Sequence, residues 1–249
     1  MKKIILLATI ILTLTLGACS EDTETVTVLT SSGYEPYEMV DTSGNLTGFD
    51  IELMEALASE IGIEIDWKDV DFDGIIASLQ SGNAEIAIAG LSPSPDRALV
   101  VDFSDIYYNS EAGLTNYILF DSENPISSLE DLDGLIVGAQ LGTVQASLLE
   151  EISSTYNFTV DFRTTNTQII EEINAGRIDA LVVENIVATS IIEANSGLDK
   201  VILDYATDSL NGNAIAFSQD SEYVELFNEA LATITDNGIL ADLIAKWFE

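Results

Sequence analysis

Histidine is absent from this 249-residue chain, and cysteine occurs once, at position 19. Without histidine, a zinc hydrolase or a Ser-His-Asp triad has no foundation, and any acid-base chemistry falls to carboxylates. A lone cysteine excludes an intrachain disulfide. Cations are also scarce: eight lysines and arginines stand against 43 acidic residues, a formal net charge of −35. Such a surface excludes generic nucleic-acid binding and opposes broad contact with anionic lipid. The acidic pairs Asp71/Asp73 and Glu171/Glu172 lack the spacing of a calcium loop and read as solvated faces or caps, so no metal or cofactor is expected. Beyond the first 18 residues no apolar run reaches membrane-spanning length. With so few cations, each becomes a candidate for a specific role.

The N-terminus is read as a processing segment. Lys2-Lys3 precede a mostly apolar run from Ile4 to Leu16, too short for a spanning helix and suited to a signal peptide. The run ends in Leu16-Gly17-Ala18-Cys19, which resembles a bacterial lipobox. That resemblance implies removal of residues 1–18 and a diacylglyceryl thioether on Cys19. Residues 19–25, polar and acidic, form the lipidated tether. The body is then expected outside the cytoplasm, held to the cell membrane through Cys19 alone.

The remaining chain says one thing twice. Ile75-Ile76, Leu79, Gly82, Glu85 and Ile88 reappear as Ile169-Ile170, Ile173, Gly176, Asp179 and Val182, at a constant offset of 94. Ile65-Asp66-Trp67-Lys68 is echoed by Val160-Asp161-Phe162-Arg163. Each copy reads strand, helix, glycine stop, strand, which predicts two α/β lobes of one design with a cleft between them. The order of elements assigns residues 26–111 and 212–249 to lobe 1 and 112–211 to lobe 2, joined by a two-strand hinge. Alternating strands and helices predict largely parallel sheets. Among local signals, Asp50 is placed to cap a helix ending at Gly62, and Ser94 to cap a short helix with Pro95 at its first position. Ser127 and Glu130 form a capping box.

In open parallel sheets ligands sit beyond the carboxyl ends of strands. Gly90 and Glu184, also 94 apart, occupy matching strand ends and should face each other across the cleft. Ser92 and Arg97 follow Gly90 on a segment whose helix N-terminus favours an anion, and a guanidinium grips a carboxylate through paired hydrogen bonds. The alternative is that Arg97 pairs with Asp96, Asp102 or Asp105 as structural glue. Spacing alone leaves both open.

Gly48-Phe49-Asp50-Ile51-Glu52-Leu53, Asp71-Phe72-Asp73-Gly74-Ile75-Ile76 and Ala89-Gly90-Leu91-Ser92 with Arg97 resemble the family 3 extracellular solute-binding proteins. Asp102-Phe103-Ser104-Asp105 with Tyr107-Tyr108, Val137-Gly138 with Gly142-Thr143, and Lys246-Trp247-Phe248 continue the likeness in order. The resemblance covers Val26 to the C-terminus. It implies an α/β, two-lobed, periplasmic-binding-protein-like (type II) clamshell: a monomeric amino-acid receptor, not an enzyme, that serves an ABC permease and its ATPase. By the same resemblance Arg97, Ser92 and the Thr143 N–H hold an α-carboxylate. Gly90 C=O, Ser92 and Glu184 hold the α-ammonium, Tyr34 and Phe72 sandwich the side chain, and Gly142 joins on closure. Three positions depart from the family pattern. Glu184 stands where aspartate is common, Ser31 where an acidic residue is frequent, and Gln140 where some members carry a cation. These departures favour a polar neutral ligand, with cationic ones close behind. A dehydratase acting on small acids and the sensor domain of a receptor are the rival readings.

Overall fold

The structure is a computed structural model that describes residues 24–109, 115–205 and 212–249. The signal segment, Cys19 and the expected hinge positions 111, 112 and 211 lie outside the described residues.

The chain opens with β1 (Thr25–Thr30), a small hairpin of β2 (Met39–Val40) and β3 (Leu46–Thr47), and helix α1 (Phe49–Ile61). Helix α1 stops at Gly62, whose φ of 85° permits the left-handed cap. Then come β4 (Glu64–Asp69), α2 (Ile75–Gln80), β5 (Ile86–Ala87) and β6 (Asp102–Phe103). The middle of the chain supplies β7 (Asn116–Asp121), β8 (Ile136–Gln140), α3 (Val144–Tyr156), β9 (Thr159–Arg163), α4 (Asn166–Asn174), β10 (Ala180–Glu184), α5 (Asn185–Ala194) and β11 (Leu198–Ile202). Finally β12 (Ala216–Phe217), α6 (Tyr223–Asp236) and α7 (Ile239–Phe248) close the chain.

Two five-stranded sheets result, ordered β4-β1-β5-β12-β6 and β9-β8-β10-β7-β11. These are the same design, strand for strand, and the repeat at an offset of 94 maps α2-β5 onto α4-β10. In each sheet the first three strands are parallel, the fourth (β12 or β7) runs antiparallel to both its neighbours, and the fifth (β6 or β11) therefore runs with the first three. Four of five strands in each sheet thus share one direction, largely parallel as the alternation predicts, with a single reversed strand that the alternation does not predict. The antiparallel member beside β5 or β10 enters after the chain has crossed between lobes, so it arrives from the opposite end.

Side-chain alternation decides which helix covers which face. In the first sheet Val26, Val28, Ile86 and Ile88 point to α1 and α6, while Leu29, Ala87 and Ala89 point to Ile75 and Leu79 of α2. In the second, Leu119, Leu181 and Val183 face α4 and α5; Ile118, Phe120 and Val182 face α3. The last helix seals the first lobe: Phe248 lies 4.5 Å from the rings of Phe49 and Tyr108, and Lys246 pairs with Glu52 at 2.6 Å.

Three local expectations are corrected. Asp50 does not cap α1; Gly48 holds that position, and Asp50 sits buried inside the first turn. The capping box lies one residue later, between Ser128 and Asp131, on a 3-10 turn at Leu129–Leu132. The segment after Pro95 is only a 3-10 turn, Arg97–Leu99. Its Ser94 hydroxyl does accept the Arg97 N–H at 3.3 Å, but so short a turn has no useful dipole for an anion.

Phe227 is fully buried between Phe217 and Tyr223, whereas neighbouring Leu226 is 43 % exposed. Phe227→Ala should lower unfolding free energy by about 3–5 kcal/mol, and Leu226→Ala should stay within about 0.5 kcal/mol of wild type. Denaturant titration checks both; equal costs would contradict this packing.

Candidate functional site

Strand β5 runs into Gly90 and strand β10 ends at Glu184, so the matching strand ends do meet. Gly90 turns at φ 56°, and a Cβ there would press the Tyr34 ring at 3.0 Å. Its N–H donates to Asp50 Oδ2 at 2.6 Å, and its C=O accepts from Asn213 Nδ2 at 2.8 Å. Asp50 also accepts from the Tyr107 hydroxyl at 2.9 Å.

Arg97 folds back from its 3-10 turn. One terminal nitrogen donates to Ser92 C=O at 2.7 Å, and the other reaches Gly142 C=O, in the second lobe, at 2.9 Å. The guanidinium carbon lies 5.4 Å from the Phe72 ring centroid. No salt bridge to Asp96, Asp102 or Asp105 forms among the described residues, so the structural-glue alternative does not hold. Gly142 passes so close to the first lobe that a Cβ would meet Asp73 Cα at 2.8 Å.

Between the lobes lies a cavity lined by Tyr34, Phe72, Gly90, Ser92 and Arg97 from one side and Gln140, Thr143, Val144, Gln145 and Glu184 from the other. Every sequence candidate lines it except Gly142, which borders it through its bond to Arg97. Thr143 acts as the N-cap of α3: its hydroxyl accepts from Ala146 N–H and donates to Gln140 C=O at 2.7 Å. Both cavity amides are anchored through nitrogen. Gln140 Nε2 donates to Thr164 C=O at 3.0 Å and Gln145 Nε2 to Asn116 Oδ1 at 2.9 Å.

Burial sets the electrostatics. Arg97 is 9 % exposed, and loss of water pulls its pKa down to about 10, so it remains charged at neutral pH. Glu184 is 2 % exposed, and burial raises its carboxyl to about 7, assisted by the charge of Asp50 and opposed by the Tyr37 hydroxyl and the Asn213 amide. Behind the cavity Asp50 and Glu38 are both fully buried. Burial pushes Asp50 to about 7 against the bonds from Gly90 and Tyr107. Burial and then the Asp50 charge drive Glu38 well above the carboxylate range. Two adjoining buried carboxyls do not both ionise. Burial favours the neutral form of Glu38, whose two oxygens meet no donor among the described residues.

Tyr37, Asp50 and Asn213, which hold Glu184 and Gly90, escape the sequence reading, as do Val144 and Gln145. Asp50 left one trace: it shares a helical stripe with Leu53, Met54 and Leu57, and a carboxylate on an apolar stripe is abnormal for a cap.

Two like lobes around a cavity with a buried guanidinium on one side and a buried carboxyl on the other define a two-lobed solute-binding protein of type II. Residues 26–249 match the bacterial extracellular solute-binding proteins, family 3, and the chain belongs to that family. The arginine-binding extracellular protein ArtP of Bacillus subtilis is 37 % identical over 256 residues, covering 100 % of this chain and 98 % of ArtP. An ancestral arginine-binding protein solved with arginine is 34 % identical with a TM-score of 0.82, over 90 % of this chain and 98 % of its own; an ancestral arginine-binding protein solved with glutamine is likewise 34 % identical, with a TM-score of 0.81 over 90 % of this chain and 97 % of its own. An ancestral amino-acid-binding protein described as a precursor of cyclohexadienyl dehydratase is 30 % identical, with a TM-score of 0.78 over 90 % of this chain and 96 % of its own.

A carboxyl whose folded pKa is raised stabilises the fold relatively at low pH and loses that contribution as pH climbs through the folded value. For Glu184, the interval from 4.5 to about 7 corresponds to about 3 kcal/mol. Glu184→Gln should therefore raise stability by up to that amount at about pH 8 and leave it unchanged below about pH 4. Melting curves at both pH values check this, and a pH-independent effect would mean an ordinary carboxyl.

Proposed function

We propose that this chain is the substrate-binding component of an ABC importer that captures a free amino acid and presents it to a membrane permease with its ATPase. The observation that carries this is the placement of Arg97 and Glu184 on opposite walls of one interlobe cavity, matching the two charged ends of a zwitterion. In this reading the α-carboxylate sits on Arg97, Ser92 and the backbone at Thr143. The α-ammonium sits on Glu184, Gly90 C=O and Ser92, and Tyr34 and Phe72 flank the side chain. Charge-assisted hydrogen bonds contribute roughly 1.5–3 kcal/mol each. Three or four, less the cost of ordering and closure, reach the ~8 kcal/mol of a micromolar binder.

The cavity favours a side chain that donates hydrogen bonds. With their nitrogens committed inside the second lobe, Gln140 and Gln145 offer carbonyl oxygens to the cavity. That suits an amide or a cationic terminus and disfavours an acidic one, in keeping with the arginine and glutamine named for the relatives. Binding without turnover is the accompanying reading. Glu184 is the one carboxylate lining the cavity among the described residues, and the ArtP-like relatives are named as binding proteins. Lobe 1 comprises 26–111 and 212–249 and lobe 2 comprises 112–211, with the hinge between them. The working unit is a monomer, held to the membrane by a lipid on Cys19; no described helix is long and apolar enough to cross a membrane.

A thermal-shift screen against the twenty amino acids should yield a donor-bearing ligand, recoverable unchanged. By calorimetry, Arg97→Ala should weaken that ligand at least about 100-fold, with an unaltered far-ultraviolet spectrum; undiminished affinity would remove the central contact. In membrane fractionation, Cys19→Ser should move the chain from the membrane to the soluble fraction.

A further inference from the structure

Glu184 does more than line the cavity. Although it terminates β10 in the second lobe, its Oε1 accepts a hydrogen bond at 2.8 Å from the hydroxyl of Tyr37, a residue of the first lobe. The same hydroxyl lies 3.2 Å from Asn213 Oδ1, and Asn213 in turn holds Gly90 C=O. Tyr37 has no freedom to point elsewhere. It is fully buried, stacked on Tyr34 at 5.6 Å and wedged between Phe49 and Phe248 at 6.2 and 5.1 Å. A rigid ring thus delivers one donor across the lobe boundary to the carboxylate that closes the site.

Resting on the amino-acid-binding reading, we propose that Tyr37 is a positioning residue: its hydroxyl latches the Glu184 carboxylate to the first lobe, aiming it into the cavity and tying the two lobes in the closed form. A carboxylate accepts through about four lone-pair positions. The latch engages one, the Asn213 amide favours the same carboxylate, and positions remain for an ammonium. The arm length at 184 is what makes this possible. Glutamate carries one methylene more than the aspartate common in the family, and it spans both the cavity wall and Tyr37. The ammonium and the Tyr37 proton then act on the same carboxylate, so ligand capture and lobe closure strengthen each other. The ionisable groups facing Glu184 are Tyr34, Tyr37, Tyr107, Tyr108 and Asp50 of the first lobe, with Arg97 on the wall of the same cavity. Of these only Asp50 shares its charge sign in the neutral range.

The test is a double-mutant cycle on the full chain: wild type, Tyr37→Phe, Glu184→Asp and both together. Melting temperature is measured without added amino acid, and the Kd for L-arginine is measured across the neutral pH range. Tyr37→Phe should weaken L-arginine about tenfold when Glu184 is present and less than about twofold in the Glu184→Asp background. It should also shift upward the pH at which affinity falls off, because the carboxylate has lost a donor. A role confined to ring packing gives equal losses in both backgrounds and an unmoved pH profile, and overturns the latch. If wild type fails to bind L-arginine, the ligand reading suffers and the melting temperatures decide alone. Non-additive losses there uphold the latch, and additive ones overturn it.

Discussion

A guanidinium buried without a carboxylate partner is the constraint around which this molecule is arranged. Removing a charge from water is expensive unless other dipoles replace the water. Around Arg97 the replacements are two backbone carbonyls and the face of Phe72, none of which carries a full negative charge. This happens in a chain of net charge −35, where a carboxylate partner would have been the easiest thing to provide. Four of the other described cations find a carboxylate: Lys68 pairs with Asp66, Arg163 with Asp161, Arg177 with Glu172 and Lys246 with Glu52. Lys200, far less buried than Arg97, rests on Asn185, Thr189 and the Tyr117 ring. Arg97 keeps its capacity to bind an anion because the fold withholds one.

The same constraint explains the geometry of closure. One of the two carbonyls serving Arg97 belongs to Gly142, so the second lobe must approach within hydrogen-bonding distance to complete the coordination. A side chain at 142 would collide with Asp73 before that distance was reached, and its φ of 79° already disfavours one. Glycine there is needed twice over, for the turn and for the approach. Closure thus brings one wall's carbonyl to the guanidinium and the other wall's hydroxyl to Glu184. Both contacts lie at the edge of the cavity that both lobes line.

How much of this was legible in the residues depends on whether a signal is local. The repeat at an offset of 94 is a chemical pattern that survives in the sequence, and it places Gly90 opposite Glu184 before any coordinates exist. Arg97 stands out because cations are rare. The antiparallel strands β7 and β12 were not legible, because their direction is set by a crossing between lobes and by no feature of Asn116–Asp121 or Ala216–Phe217 themselves. Tyr37, Asp50 and Asn213 were missed for a related reason. Each looks like an ordinary turn, cap or loop residue, and acquires its role only when segments some 40 to over 120 positions apart converge on Gly90. A polar residue's burial is a property of the assembled core, so its partners have no local trace.

The carboxyls near the cavity complete the physical picture. Glu38, Asp50 and Glu184 are all buried, and each is pushed toward its neutral form by loss of water, with the Asp50 charge adding to the push on Glu38 and Glu184. Glu38 meets no donor among the described residues that would offset this, whereas Asp50 collects the Gly90 N–H and the Tyr107 hydroxyl. Of the three, Glu184 faces the cavity, and the Tyr37 hydroxyl and the Asn213 amide favour its ionised form. A cation arriving there favours the ionised form most strongly when the lobes are shut and water is excluded, since electrostatic attraction grows as the local dielectric falls. An amino acid's ammonium therefore has a larger affinity for the closed arrangement than for the open one. That difference is what a ligand must supply to shift a population between two states. An acid that was comfortably ionised in the open protein would bind the ammonium in either arrangement and would drive closure less.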